Sequence, residues 1–134
     1  MNKIEHIGIA VKNLEASNKI FAALFGEAHY KTEEVKSESV KTSFFKSGPN
    51  KIELLEATNP ESAIAKFIEK KGEGVHHVAF AVDNIYSEIE RLKKEGFIVL
   101  NDTPKKGADN KLVAFLHPKS TNGVLIELCQ EIEN

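Results

Sequence analysis

Large apolar side chains alternate with small or polar ones through residues 3–11 and again through residues 75–82, the period-two pattern of a strand with two different faces. The two runs are near copies, since His6-Ile7-Gly8-Ile9-Ala10-Val11 is echoed by His77-Val78-Ala79-Phe80-Ala81-Val82. In the first, Ile7, Ile9 and Val11 share one face and His6, Gly8 and Ala10 the other. In the second, Val78, Phe80 and Val82 oppose His77, Ala79 and Ala81. The bulky faces are expected to pack beneath helices, and the small residues to leave space beside each histidine, as a ligand site requires.

The same alternation of periods sets out the remaining elements. After the first strand, Asn13 caps a helix whose apolar positions Leu14, Ile20, Phe21, Leu24 and Phe25 recur at helical spacing, and Gly26 stops it. Residues 28–35 and 39–46 read as strands, with the polar stretch 33–38 between them as a loop or hairpin tip. Residues 47–50, Ser-Gly-Pro-Asn, form a turn before a strand over 51–56. Asn59-Pro60 is a helix entry, Ile64, Phe67 and Ile68 are the buried stripe, and Gly72 and Gly74 end the helix. The second half then restarts with a strand over 75–82, cap Asn84, helix 85–95 and Gly96 as stop. Strands follow over 97–100, 112–116 and 124–129. The loop 101–111 carries Pro104 and Gly107, a turn occupies 117–123, and residues 131–134 are expected to fray. Each half is thus strand, helix and three strands: an α+β chain of two βαβββ modules, about 1–58 and 74–134, joined by a connector helix at about 59–73.

Each module closes on the same tripeptide, Ile52-Glu53-Leu54 and Ile126-Glu127-Leu128, and the spacing from histidine to glutamate is 47 residues in one and 50 in the other. Glu53 and Glu127 each lie between apolar neighbours that point to the opposite face. Two His/Glu pairs at matched positions are what is expected if His6, Glu53, His77 and Glu127 meet at a metal, and two imidazoles with two carboxylates suit a borderline or hard divalent ion. His76 has the opposite parity from His77 and is read as structural. His117 shapes the turn before Pro118. Cys129, with the parity of Glu127, reads as a small buried hydrophobe, and Phe44 and Phe45 as one pocket wall and one core residue.

The totals narrow the partners. The chain of 134 residues is long enough for one core but not for two independent domains, and its 41% hydrophobic and 28% charged content is ordinary for a globular protein. A formal charge of −2 leaves no electrostatic footprint for nucleic acid. One cysteine allows no intrachain disulfide, no apolar run is long enough for a membrane helix, and a strand pattern begins at once. The expected location is the cytoplasm.

The pattern resembles the vicinal oxygen chelate (glyoxalase/bleomycin resistance) superfamily over essentially the whole chain and, within it, the methylmalonyl-CoA epimerases. The residues that carry this are His6 to Val11, Lys51-Ile52-Glu53-Leu54-Leu55-Glu56, Gly74 to Phe80, and Phe115 to Ser120 with Gly123-Val124-Leu125-Ile126-Glu127-Leu128. The resemblance implies a curved, eight-stranded open barrel around a metal site in a single domain, 1–134. It implies His6, His77 and Glu127 as ligands, with Glu53 at a fourth position that the epimerases fill with glutamine or glutamate. The ion would be cobalt, zinc, manganese or magnesium. The implied reaction interconverts the two epimers of methylmalonyl-CoA at carbon 2 through a metal-stabilised enolate, with Glu53 and Glu127 as candidate proton carriers. Some epimerases are thought to use a further glutamate in the strand before the turn, where residues 40–45 here offer Thr42. Lys105, Lys106, Lys111 and Lys119 are candidates for the phosphates of coenzyme A, and a homodimer is expected. Two rivals share the fold. Glyoxalase I usually has an arginine in the first strand for glutathione, where this chain has Ala10, and the one arginine is Arg91. A binding protein of the superfamily often lacks the ligands, and all four are present here.

Overall fold

The computed structural model describes residues 1–133, and the element order is that of two βαβββ modules with a helix after the first. The first module runs β1 (Lys3–Ala10), α1 (Leu14–Phe25), β2 (Lys31–Val35), β3 (Val40–Ser47) and β4 (Asn50–Ala57), followed by α2 (Ala63–Lys71). The second runs β5 (Gly74–Ala81), α3 (Ile85–Lys94), β6 (Lys105–Lys106), β7 (Lys111–Leu116) and β8 (Ile126–Glu131). The chain divides into two units, one of His6–His76 and one of Met1–Glu5 with His77–Asn134. The first half of β1 thus belongs with the later residues, where Asn2 N–H donates to the Ala81 carbonyl at 2.8 Å.

In the first unit the strands are ordered β2-β3-β4-β1, with β1 parallel to β4 and the other neighbours antiparallel. A parallel neighbour requires a crossover, and α1 supplies it. Asn13 accepts the Ala16 N–H at 2.9 Å, and Glu56 of β4 accepts the Leu14 N–H at 2.5 Å. Gly26 adopts φ 73°, open to glycine at no steric cost, and ends the helix as its N–H bonds the Ala22 carbonyl. One sheet face packs Ile9, Val11, Phe45 and Leu54 against Leu14, Phe21 and Phe25 of α1. The other buries Ala10, Val40 and Leu55 under Ile64, Phe67 and Ile68 of α2.

The second unit repeats this arrangement with β5-β8-β7-β6, β5 being parallel to β8. Asn84 accepts the Ser87 N–H at 3.1 Å, and Gln130 of β8 accepts the Ile85 N–H at 2.7 Å. The amphipathic α3 lays Ile85, Ile89 and Leu92 on Ala114, Leu116 and Leu128, while Ala79, Val113 and Cys129 cluster on the opposite face.

Several expectations need correction. The helix after β4 starts at Ser62, whose Oγ accepts the Ala65 N–H, because Asn59 is occupied by Ser39 Oγ and the Glu61 N–H in a preceding turn. Residues 33–35 belong to β2 and not to a loop, since Glu33 pairs with Thr42 and Glu34 with Lys41. Residues 97–100 make only the bridge Val99 to Leu116, because the Asn101 side chain takes the Phe115 N–H at 3.0 Å and the ladder stops. On α1, Ile20 and Leu24 are 64% and 69% exposed despite their helical spacing. Glu131 lies in β8 and Ile132 N–H bonds the Asn110 carbonyl. The expected fraying therefore fails there, and Asn134 lies outside the described residues. No helix among the described residues is long and apolar enough to cross a membrane.

Ser43 is fully buried on β3 and its hydroxyl has no hydrogen-bond partner, so it carries a desolvation cost without return. Replacement by alanine leaves only a small void. Urea unfolding of Ser43→Ala is expected to give equal or higher stability, by up to about 1 kcal/mol. Asn84→Ala, which removes a cap, is expected to lose about 1 kcal/mol in the same assay.

Candidate metal centre

One His/Glu pair lies in each unit. In the first, parallel pairing of β1 with β4 sets Gly8 beside Glu53, and His6, two residues earlier on the same face, approaches the carboxylate with Nε2 3.3 Å from Oε1. In the second, Ala79 lies beside Glu127 and His77 Nε2 is likewise 3.3 Å from Glu127 Oε1. The small residue is what allows the imidazole and carboxylate to lean together. A phenylalanine closes the other flank of each glutamate, Phe44 opposite Glu53 and Phe115 opposite Glu127. The Phe115 ring stands edge-on to His77 at 6.1 Å.

All four side chains are buried: His6 is 6% exposed, Glu53 4%, His77 3% and Glu127 6%. Ionisable groups at that depth are held only with a charged partner or a metal. The 3.3 Å separation is longer than the usual N–H···O bond. It falls within the roughly 3.0–3.4 Å expected between two donors that each stand about 2.1 Å from one ion. The donor set of each pair therefore fits a divalent metal.

The remaining candidates sort by face. His76 turns away from the His77 side and sets its ring edge-on to Phe67 of α2 at 5.0 Å. Burial, helped by the nearby Lys71 charge, lowers its pKa from 6.5 to about 4, so it is neutral at physiological pH. His117 Nδ1 accepts the Lys119 N–H at 3.0 Å and shapes the turn at Pro118. Cys129 is buried, its thiol directed to the Phe80 carbonyl at 3.5 Å. Phe45 packs against Phe25 of α1 at 5.6 Å while Phe44 stays on the Glu53 face. Thr42 is fully buried with its hydroxyl donated to the Glu33 carbonyl at 3.3 Å. Among the lysines, Lys111 is buried with its ammonium 3.2 Å from Glu131, a structural ion pair.

Sequence reasoning missed Glu56 and Gln130. Each lies three residues after a buried glutamate and holds the first amide of a crossover helix. Their shared offset from Glu53 and Glu127 was the available signal. It also missed Lys31 and Glu33, 3.5 Å apart on β2, which lie in the stretch assigned mostly to charge and loop.

A duplicated βαβββ module with a buried His/Glu pair in each copy defines the class. The chain belongs to the glyoxalase/bleomycin resistance protein/dioxygenase superfamily, whose family model matches residues 5–115. Within that superfamily it is similar to methylmalonyl-CoA epimerases. It is 37% identical over 132 residues to an ethylmalonyl-CoA/methylmalonyl-CoA epimerase of Cereibacter sphaeroides, covering 97% of this chain and 98% of the relative. It is similar in structure to Streptomyces coelicolor methylmalonyl-CoA epimerase in complex with 2-nitronate-propionyl-CoA, with TM-score 0.94 and 34% identity, covering 98% of this chain and 95% of that one. A hypothetical protein from Bacillus halodurans matches at TM-score 0.95 and 43% identity over 99% and 96% of the two chains. The α+β fold of paired βαβββ modules expected from the sequence is the fold of these epimerases.

The buried, neutral His76 gives a pH test that does not involve the metal. A histidine whose folded pKa lies below its unfolded value loses stability as pH falls, because the unfolded chain takes up the proton first. Between pH 7 and 4.5, metal-stripped protein is expected to lose roughly 2 to 3 kcal/mol more than His76→Phe, read by urea unfolding. Equal losses in the two proteins would refute the assignment.

Proposed function

We propose that this protein is a metal-dependent epimerase that interconverts the R and S forms of methylmalonyl-CoA at carbon 2. The observation that carries the reading is the pair of register-matched His/Glu contacts, each buried and each at 3.3 Å, in a chain whose relatives are epimerases of this substrate class. His6, His77 and Glu127 are a donor set suited to one divalent ion, and Glu53, in contact with His6, is the fourth candidate. When bound, such an ion would supply Lewis-acid polarisation of the thioester and carboxylate oxygens and fix their orientation. Cobalt, zinc, manganese and magnesium all accept these donors.

The protein's own task is to move a proton. Carbon 2 lies beside a thioester carbonyl, so removal of its proton leaves an enolate, and return of a proton from the other face inverts the centre. Glu53 and Glu127 are the carboxylates assigned to accept and donate, each a ligand that can also serve as a base. Phe44 and Phe115 keep water from their flanks, which strengthens charge interactions inside. His6 and His77 hold the carboxylates in place through the 3.3 Å contacts. The chain acts as one vicinal-oxygen-chelate domain over 1–134, as a homodimer in the cytoplasm, on an acyl-CoA. Glyoxalase I is disfavoured because Ala10, where that enzyme usually has arginine, is buried under Ile64 of α2. A binding protein without activity is disfavoured because all four donors are retained.

The test is proton NMR of (2R)- and (2S)-methylmalonyl-CoA in deuterium oxide. Cobalt-loaded protein should exchange the carbon 2 proton and interconvert the epimers, and chelator-stripped protein should do neither until metal is restored. No exchange with any divalent ion overturns the reading. Glu127→Gln and Glu53→Gln, with metal content checked, are each expected to slow exchange by about a hundredfold or more. Undiminished exchange in a metal-loaded variant removes that residue as proton carrier.

A further inference from the structure

The strand register of the first unit maps the sheet face that carries His6 and Glu53, because directly paired residues project to the same side. One row across the sheet is His6, Lys51 and Lys46, from β1, β4 and β3. The next is Gly8, Glu53, Phe44 and Lys31, ending on β2. Along both rows burial falls away from the metal ligands. His6, Glu53 and Phe44 are buried, Lys51 and Lys31 are half-buried, and Lys46 is exposed. The aromatic rings interleave with the ammonium groups. Lys31 Nζ stands 5.2 Å from the centre of the Phe44 ring and Lys46 Nζ 5.2 Å from that of Tyr30, whose ring is 6.3 Å from Phe44.

Lys46 and Lys51 are also direct cross-strand partners beside the hairpin turn. Like charges in that position oppose each other and destabilise the pair. An arrangement that breaks a local rule marks a place where a ligand supplies the compensation, and here the compensation is an anion. The row runs two strand spacings from His6 to Lys46, about 10 Å, and the lysine side chains extend it further. The flexible pantetheine arm of coenzyme A, which separates the reacting thioester from the phosphates, is long enough to lie along it.

We propose that Lys31, Lys46 and Lys51 bind the phosphates of the acyl-CoA, and that Tyr30 offers its ring to the adenine. The identity of the ligand rests on the epimerase reading. The charge and aromatic pattern stands independently of it. The site lies at the outer strands of the first module, whereas the lysines of the 101–111 loop fall elsewhere: Lys111 is engaged with Glu131, and Lys105 and Lys106 form a short edge strand of the second unit.

The experiment is calorimetric titration with coenzyme A and, separately, with pantetheine, which lacks the phosphates and the adenine. Wild-type protein is expected to prefer coenzyme A, more so at low salt. Lys46→Glu and Lys51→Gln should each weaken coenzyme A by about tenfold, the worth of one good charge contact, so that the preference over pantetheine collapses. Lys106→Glu should keep the wild-type preference. Lys46→Glu turns a like-charged pair into an opposite one and should melt no lower than wild type, which separates loss of binding from loss of fold. Wild-type protein without a preference for coenzyme A, an unchanged preference in Lys46→Glu and Lys51→Gln, or its collapse in Lys106→Glu each overturns the proposal. Neither titration involves turnover. A protein that prefers coenzyme A as described but exchanges no carbon 2 proton overturns the epimerase reading and leaves this site standing; one that exchanges but shows no effect of the lysines overturns this site alone.

Discussion

Burial of a carboxylate against an imidazole, done twice, is the constraint on which the rest of the structure depends. A glutamate as enclosed as Glu53 or Glu127 loses its hydration, and its ionised form is retained only beside compensating charge. That compensation requires the histidine on the neighbouring parallel strand to arrive at the right height. In both units the register achieves this by setting a glycine or alanine next to the glutamate, so the histidine two residues away can lean across. A slip of one residue would turn the glutamate toward the helix and the leucine toward the site. The same strand guards against that slip. Glu56 and Gln130, three residues beyond, have the opposite parity and hold the first amides of α1 and α3. One strand thus carries a ligand on one face and a helix anchor on the other, and the two cannot shift independently.

This economy explains which parts of the molecule were legible in the sequence. The His/Glu duplication, the Asn13 and Asn84 caps and the parity that separates His77 from His76 are all local patterns of fixed period, and each is found where the pattern puts it. The misses share a different origin. Asn59 has every feature of a cap, yet its side chain is taken by Ser39, twenty residues away. The strand over 97–100 has apolar residues enough, but the Asn101 side chain takes the place of a backbone partner. Lys111 looked like a free cation and is neutralised by Glu131 across a strand pair. In each case a side chain distant in sequence competes for a backbone or charged group, and no periodicity records such competition. The Glu33 and Lys31 pair was obscured for the opposite reason, since charge-rich residues 31–35 form an edge strand, where polar side chains are the rule.

The two halves agree where the ion would sit and differ where the substrate would lie. Gly8 and Ala79, Glu53 and Glu127, Phe44 and Phe115 occupy matched register positions. One strand further out the match fails. β2 is five residues long with Lys31 and Glu33 on the ligand-bearing face, and its counterpart β6 is two residues long. Thr42, bonded to β2, has Val113 as its counterpart, packed with Ala79 and Cys129.

Such divergence is what the proposed chemistry requires. An ion tolerates a symmetric set of donors, and duplication of one module supplies it. Methylmalonyl-CoA has no such symmetry, because it bears a small carboxylate on one side of carbon 2 and a long, phosphorylated thioester on the other. Two identical walls would bind it equally well in either direction and so would not define which face of carbon 2 meets which carboxylate. A wall of lysines and aromatic rings on the first unit, set against an apolar one of Ala79, Val113 and Phe115 on the second, gives the substrate one orientation. The carboxylates can then remain near copies of each other, as inversion of a carbon centre through two opposed proton carriers requires.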